Sequence, residues 1–159
     1  MSLKFYSPVL FVTDIEKSKQ FYSKILEQEI EFDFGANIIF CSKLSLWQIS
    51  KQHEIARIVG DPGKGRTFEL YFETDSIEES IERIKASDVQ LLHDKKTEPW
   101  GQITIRFYDP DGHLIEIGET MEVFILRIYK ETDSIQTTSQ RTGVSMPTIM
   151  DIIDKAGLT

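Results

Sequence analysis

The sequence predicts an α+β fold: two βαβββ modules in tandem, followed by C-terminal helices. Three observations carry that prediction. A helix-start signal occurs twice, as Thr13-Asp14-Ile15-Glu16-Lys17-Ser18 and Asp75-Ser76-Ile77-Glu78-Glu79-Ser80, offset by 62 residues at every position. Each copy follows a strand-like apolar run and is itself followed by three short runs with turn residues between them. Beyond about residue 120 the apolar residues change to helical spacing.

The first strand is expected over 8–12, ahead of a helix capped by Thr13, whose side chain lies three residues before Glu16. Phe21, Tyr22, Ile25 and Leu26 continue that helix, and strands follow over 29–34, 37–41 and 44–50. The linker 60–66 is rich in glycine but lacks the G-x4-G-K-[ST] spacing of a phosphate-cradling loop. The second module repeats the order. A strand over 68–72 leads to a helix capped by Asp75 with Ile77, Ile81 and Ile84 on one face, and strands follow over 89–92, 102–108 and 113–117. Asp109-Pro110-Asp111-Gly112 marks a turn, because proline presets one dihedral and glycine accepts a positive one. The modules therefore run over 4–59 and 67–119, within a domain at 1–119. The extension 120–159 opens with a helix around Val123 to Ile128 and closes with two more, at 134–142 and 146–156, joined through Gly143.

Composition narrows the partners. With 18 basic and 26 acidic residues the formal charge is −8, which opposes duplex DNA and leaves neutral or cationic small molecules open. Ser139, Gly143 and Ile149 have helix-turn-helix spacing, but Asp151 and Asp154 face a single Lys155 on the second helix, so the pair reads as a packing hairpin and no nucleic-acid partner is expected. Val144, Met146, Ile149, Met150, Ile152 and Ile153 need a surface to cover them, expected on the body or across a dimer. A single cysteine, Cys41, permits no intrachain disulfide, which suits a reducing cytoplasm. No run is apolar over the ~20 residues of a membrane span.

The motifs Val12-Thr13-Asp14-Ile15-Glu16-Lys17-Ser18-x-x-Phe21-Tyr22 and Phe107-Tyr108-Asp109-Pro110-Asp111-Gly112-His113-Leu114-Ile115-Glu116 resemble the opening and closing motifs of the vicinal oxygen chelate superfamily, which includes glyoxalase I, bleomycin resistance proteins and extradiol dioxygenases. The resemblance implies an open eight-stranded cup, a homodimer, and often a divalent metal held by the first and last strands of the modules. Those ligand positions correspond here to Ser7, Gln48, Glu69 and Glu116, without a histidine. Serine and an amide are poor partners for zinc or iron. Glu69 and Glu116 could still hold magnesium or manganese, and the competing expectation is a cup with no cofactor. His53, His93 and His113 are expected in loops, at strand ends or on an exposed turn.

Period-two alternation adds Tyr71, Thr104 and Arg106 to the cup, with Ile103, Ile105 and Phe107 beneath. It also groups Leu46 with Gln48 and Phe11 with Ser7 on the cup side, and leaves Trp47 in the core. Trp100, between Pro99 and Gly101, is expected on the rim as a stacking platform. The function implied is non-covalent sequestration of a small organic molecule; the alternative is a metal-dependent lyase or isomerase of the glyoxalase type.

Overall fold

The computed structural model describes residues 6–49, 52 and 69–158. The linker 60–66 and His53 lie outside the described residues. Two compact units emerge: the described residues of Met1–Glu69 with Ser87–Gln90 and Tyr108–Leu114, and Leu70–Ala86 with Leu91–Phe107 and Ile115–Thr159.

In the first unit, β1 (Val9–Val12), β2 (Ile30–Asp33), β3 (Asn37–Phe40) and β4 (Ser45–Gln48) form a sheet of order β1-β4-β3-β2, with α1 (Ile15–Gln20) continuing into a π-helical turn at Phe21–Ile25. Leu10, Val12, Ile38, Phe40 and Leu46 are buried, as are Ile15, Phe21 and Tyr22 from the helical segment, and the Tyr22 and Phe40 rings meet at 5.8 Å. The helix cap falls one residue later than expected. Asp14, not Thr13, accepts from the Lys17 amide at 3.0 Å, while the Thr13 hydroxyl donates to Asp111 at 2.6 Å. Two adjacent residues can both cap a helix, and the distant carboxylate decides between them.

The same carboxylate accepts from the Thr13 amide and the Ser18 hydroxyl, so the 109–113 turn is fastened to α1. Beside it, Asp109 accepts from the Tyr22 hydroxyl at 2.9 Å and lies 2.7 Å from His113 Nδ1. His113 is therefore not the exposed turn residue expected: its side chain is only 9% exposed. Burial, then the nearby Asp109 charge, lifts the Tyr22 phenol well above its ordinary value and keeps it a donor.

Alternation on β4 also runs opposite to expectation. β1 and β4 are parallel, with Leu10 level with Leu46 and Phe11 level with Trp47. Leu46 is therefore on the core side, whereas Phe11 and Trp47 meet each other at 5.9 Å. Gln48 shares the parity of Leu46, and its side-chain oxygen accepts from the Ile15 amide at the start of α1.

The second sheet contains β5 (Glu69–Thr74), β6 (Leu91–Thr97), β7 (Ile103–Tyr108) and β8 (Leu114–Glu119) in the order β5-β8-β7-β6, which repeats the first. Between β5 and β6 lies α2 (Ile77–Ala86), with Ile77, Ile81 and Ile84 buried. It begins 62 residues after α1, so the offset survives although both helices start one residue later than expected. Asp75, the expected cap, instead accepts from the Thr120 hydroxyl.

The extension comprises α3 (Met121–Thr132), α4 (Ile135–Thr142) and α5 (Met146–Lys155), capped by Thr120, Ser134 and Ser145. Gly143, at φ 75°, makes the left-handed turn between α4 and α5. Phe124, Ile125 and Ile128 of α3 bury Ile149, Ile152 and Ile153 of α5, with Val144 partly buried against them. The hairpin thus finds its covering surface in the preceding helix of the extension, and only Met146 and Met150 of the expected apolar set stay exposed. No helix among the described residues is long and apolar enough to cross a membrane.

Candidate functional site

The second sheet divides cleanly by parity. Ile103, Ile105 and Phe107 of β7 are buried, as are Ile115 and Ile117 of β8. The alternate positions carry Gln102, Thr104 and Arg106 ahead of and along β7, Glu116 and Gly118 along β8, and Tyr71 on β5. This polar face unites four of the expected residues, Tyr71, Trp100, Arg106 and Glu116, in one unit.

Arg106 is the centre of it. One guanidinium nitrogen donates to Glu98 at 2.6 Å, and the other is paired with Glu116. Both carboxylates are buried. Glu98 also accepts from the Thr104 hydroxyl at 2.9 Å and pairs with Lys96 at 3.1 Å. Burial would raise the Glu98 pKa, but the hydrogen bonds from Arg106, Thr104 and Lys96 outweigh it and hold the carboxyl at about 2. His93, placed inside β6 rather than at a strand end, completes the group. Its Nδ1 faces the Asp94 carbonyl at 2.7 Å and its Nε2 faces Arg106 at 3.2 Å. A carbonyl only accepts and a guanidinium only donates, so this geometry suits an N–H at Nδ1 and an accepting Nε2. Two carboxylates face one guanidinium and one ammonium, which leaves the cluster balanced in charge.

The other end of the face is aromatic. Tyr71 and Trp100 are 46% and 43% exposed and are joined through Gln102. The Gln102 amide nitrogen donates to the Tyr71 hydroxyl at 2.9 Å and to the Glu119 carbonyl at 2.7 Å, and its oxygen accepts from the Trp100 indole at 3.1 Å. A Cβ on Gly118 would lie 3.0 Å from the Tyr71 hydroxyl and 3.1 Å from the Gln102 amide nitrogen, so glycine leaves the room this bridge occupies. Burial, against the opposing Gln102 hydrogen bond and with the Glu73 charge, raises the Tyr71 pKa. With the indole N–H already used, Trp100 presents its ring, a surface for stacking.

Glu98 and Gln102 are the residues that reading the sequence missed. The Pro99-Trp100-Gly101 turn carried the signal: the Glu98 amide donates to the Gln102 carbonyl at 2.8 Å, closing a hairpin that sets the two opposite each other. The strand expected at 89–92 instead runs over Leu91–Thr97, and its register against β7 shifts twice, between Leu91 and His93 and again between His93 and Lys96.

The remaining expected residues belong to the first unit. Ser7 shares a 2.7 Å hydrogen bond with Ser45 and donates to the Pro8 carbonyl, Gln48 caps α1, and Glu69 opens β5 with its side chain exposed. As donors for the divalent metal implied by the superfamily, these residues fit poorly. The Gln48 oxygen is committed to a backbone amide, the Ser7 hydroxyl to two oxygens, and the Glu116 carboxylate to a guanidinium. Among the described residues, no group of three or more His, Cys, Asp or Glu side chains gathers to hold a metal ion.

Residues 5–122 match a family described as a glyoxalase-like domain. Among solved structures, a protein of unknown function from Agrobacterium tumefaciens str. C58 is 32% identical, with a TM-score of 0.65 over 76% of this chain and 97% of that one. A lactoylglutathione lyase from Agrobacterium tumefaciens is 21% identical, with a TM-score of 0.57 over 76% and 96%. A member of the glyoxalase/bleomycin resistance protein/dioxygenase superfamily from Sphaerobacter thermophilus DSM 20745 is 24% identical, with a TM-score of 0.58 over 74% and 98%. The last two share the fold. With the match spanning both modules, the chain belongs to the glyoxalase-like domain family of the vicinal oxygen chelate superfamily.

Proposed function

We propose that this protein binds a small organic molecule without covalent chemistry, on the polar face of its second sheet, and that no metal takes part. Arg106 carries the reading. Its guanidinium lies against Glu116, the carboxylate at the superfamily's ligand position, and also holds Glu98. A divalent ion would have to displace that cation, giving up a hydrogen-bonded pair to gain one carboxylate and no imidazole. Tyr71 and Trp100 then supply the contact surface. A planar ring stacks on them, and a cationic one gains from the quadrupole of both rings and from Glu73 beside Tyr71.

The experiment has two arms. Manganese(II) is titrated into the wild type and Arg106→Met, with the free ion followed by electron paramagnetic resonance. The wild type is expected to leave manganese free. Stoichiometric manganese kept by the wild type through dialysis would restore the metal-dependent lyase or isomerase reading. In the second arm a cationic acridine and a neutral naphthalene are titrated into the wild type and Trp100→Leu, with quenching of tryptophan fluorescence as the readout. Acridine is expected to bind the tighter of the two and to lose most of its affinity in the variant. Equal quenching of both proteins would remove the aromatic end from the site.

A further inference from the structure

We propose, resting on the binding face put forward above, that Gln102 is a positioning residue: it holds Trp100 and Tyr71 ready for the ligand, and position 118 is glycine to make room for it. Gly118 is buried inside β8, on the polar face with Glu116. Its φ is not positive, so the backbone sets no demand for glycine there. A glycine within a strand loses more conformational freedom on folding than other residues and packs no side chain, so such a position marks a close approach. The three heavy atoms nearest to a Cβ placed at 118 all belong to the Tyr71 and Gln102 side chains, at 3.0 to 3.1 Å.

Two partners of the Gln102 amide can each act in one sense only. The Trp100 indole N–H donates, and the Glu119 main-chain carbonyl accepts. They meet the amide oxygen at 3.1 Å and the amide nitrogen at 2.7 Å, which fixes the orientation of the group. The amide nitrogen also donates to the Tyr71 oxygen at 2.9 Å, and the Tyr71 hydroxyl turns its own proton toward Glu73 at 3.3 Å. The donors therefore run one way, from Trp100 through Gln102 to Tyr71 and Glu73, and the anchor is the backbone of β8.

Both rings need that anchor. Trp100 lies on the turn between β6 and β7, and it and Tyr71 are each nearly half exposed. Exposed side chains keep their rotamer freedom, and a ligand that stacks on them has to remove it. With Gln102 in place, that freedom is already gone before the ligand arrives. Alanine at 118 would push Tyr71 and Gln102 outward and break the bridge, because those side chains can yield more readily than the strand beneath them.

Gln102→Leu, Gly118→Ala and the double variant, made in the full chain, test the proposal beside the wild type. A cationic acridine is titrated into each and followed by its own fluorescence anisotropy. Exchange of the Trp100 indole proton is followed by NMR without ligand, its signal assigned by its absence in Trp100→Leu. Each single variant is expected to bind acridine about fivefold more weakly, the factor for ordering one side chain on binding. Its indole proton should exchange faster than in the wild type, at an unchanged melting temperature. The double variant should bind no more weakly than either single one, because both changes break the same bridge. Full affinity in both single variants, with acridine still lost in Trp100→Leu, overturns the proposal and leaves the binding face standing. Losses that multiply in the double variant overturn it too, as does an indole proton that exchanges equally fast in all four proteins. So does a loss of affinity that appears only where the melting temperature falls. A wild type that leaves acridine free ends both the binding face and the proposal, and a protected indole would then mark the bridge as purely structural.

Discussion

Glu98 binds its proton far more weakly in the folded chain than in water, and this couples a single carboxyl to acid stability. Its pKa falls from 4.5 to about 2, so the contribution is complete above 4.5 and is lost as the pH drops from there toward 2. The amount is on the order of 3 kcal/mol, from 1.36 kcal/mol for each pKa unit. Urea midpoints measured across that window should fall steeply for the wild type and more gently for Glu98→Gln; parallel curves would show that the carboxyl titrates normally. Arg106 could be placed on the polar face from the sequence, because β7 keeps strict alternation and its odd positions are Ile, Ile and Phe. Glu98 could not, because it is separated from β7 by a turn and from regular β6 pairing by two register shifts. Gln48 is placed in the cup by its correspondence to a superfamily ligand position, and alternation carries Leu46 with it. The parallel register of β1 and β4 reverses that choice.

At the scale of elements, the junction between β8 and α3 carries the greatest electrostatic stake. Glu119 is 1% exposed and accepts two bonds from Arg127, from Nε at 2.8 Å and from a terminal nitrogen at 2.7 Å, together with the Ile103 amide at 2.8 Å. The same arginine donates to the Gly101 carbonyl at 2.7 Å, so one side chain on α3 holds both the last strand and the turn before β7. Replacing it with methionine keeps the packing and strands a buried carboxylate, at a cost of roughly 3 kcal/mol. Arg127→Lys should recover part of the loss, since an ammonium keeps the charge but not the two-pronged geometry. Chemical denaturation of the three proteins checks the order; if the methionine variant matched the wild type, the pair would hold nothing in place. The helix starts were readable from capping signals and spacing to within two residues. The π-helical turn at Phe21–Ile25 was not, because widening a helix leaves its apolar periodicity almost unchanged.

Across the whole molecule the two modules repeat one strand order and one helix offset, yet the second alone continues into an extension. Truncation after Glu119 should lower the melting temperature by more than Arg127→Met does, because it also uncovers Gly101, against which Phe124 and Ile128 lie. Equal melting of the truncated and full chains would make the extension an appendage with no structural duty. The closing turn was legible as a turn, but its attachment to α1 was not: Asp111 and Thr13 lie 98 residues apart, and nothing local announces that pairing.

The Glu119–Arg127 pair bears on how such a chain can change over time. Family similarity stops at residue 122, between the two partners, so the border drawn by ancestry passes through a buried ion pair. A recombination event at that border would separate the Glu119 carboxylate from the cation that pairs with it. A substitute tail that again buried Glu119 would need a cation or donor group against it, as Arg127 is here. The pair thus ties the extension to the strand it follows.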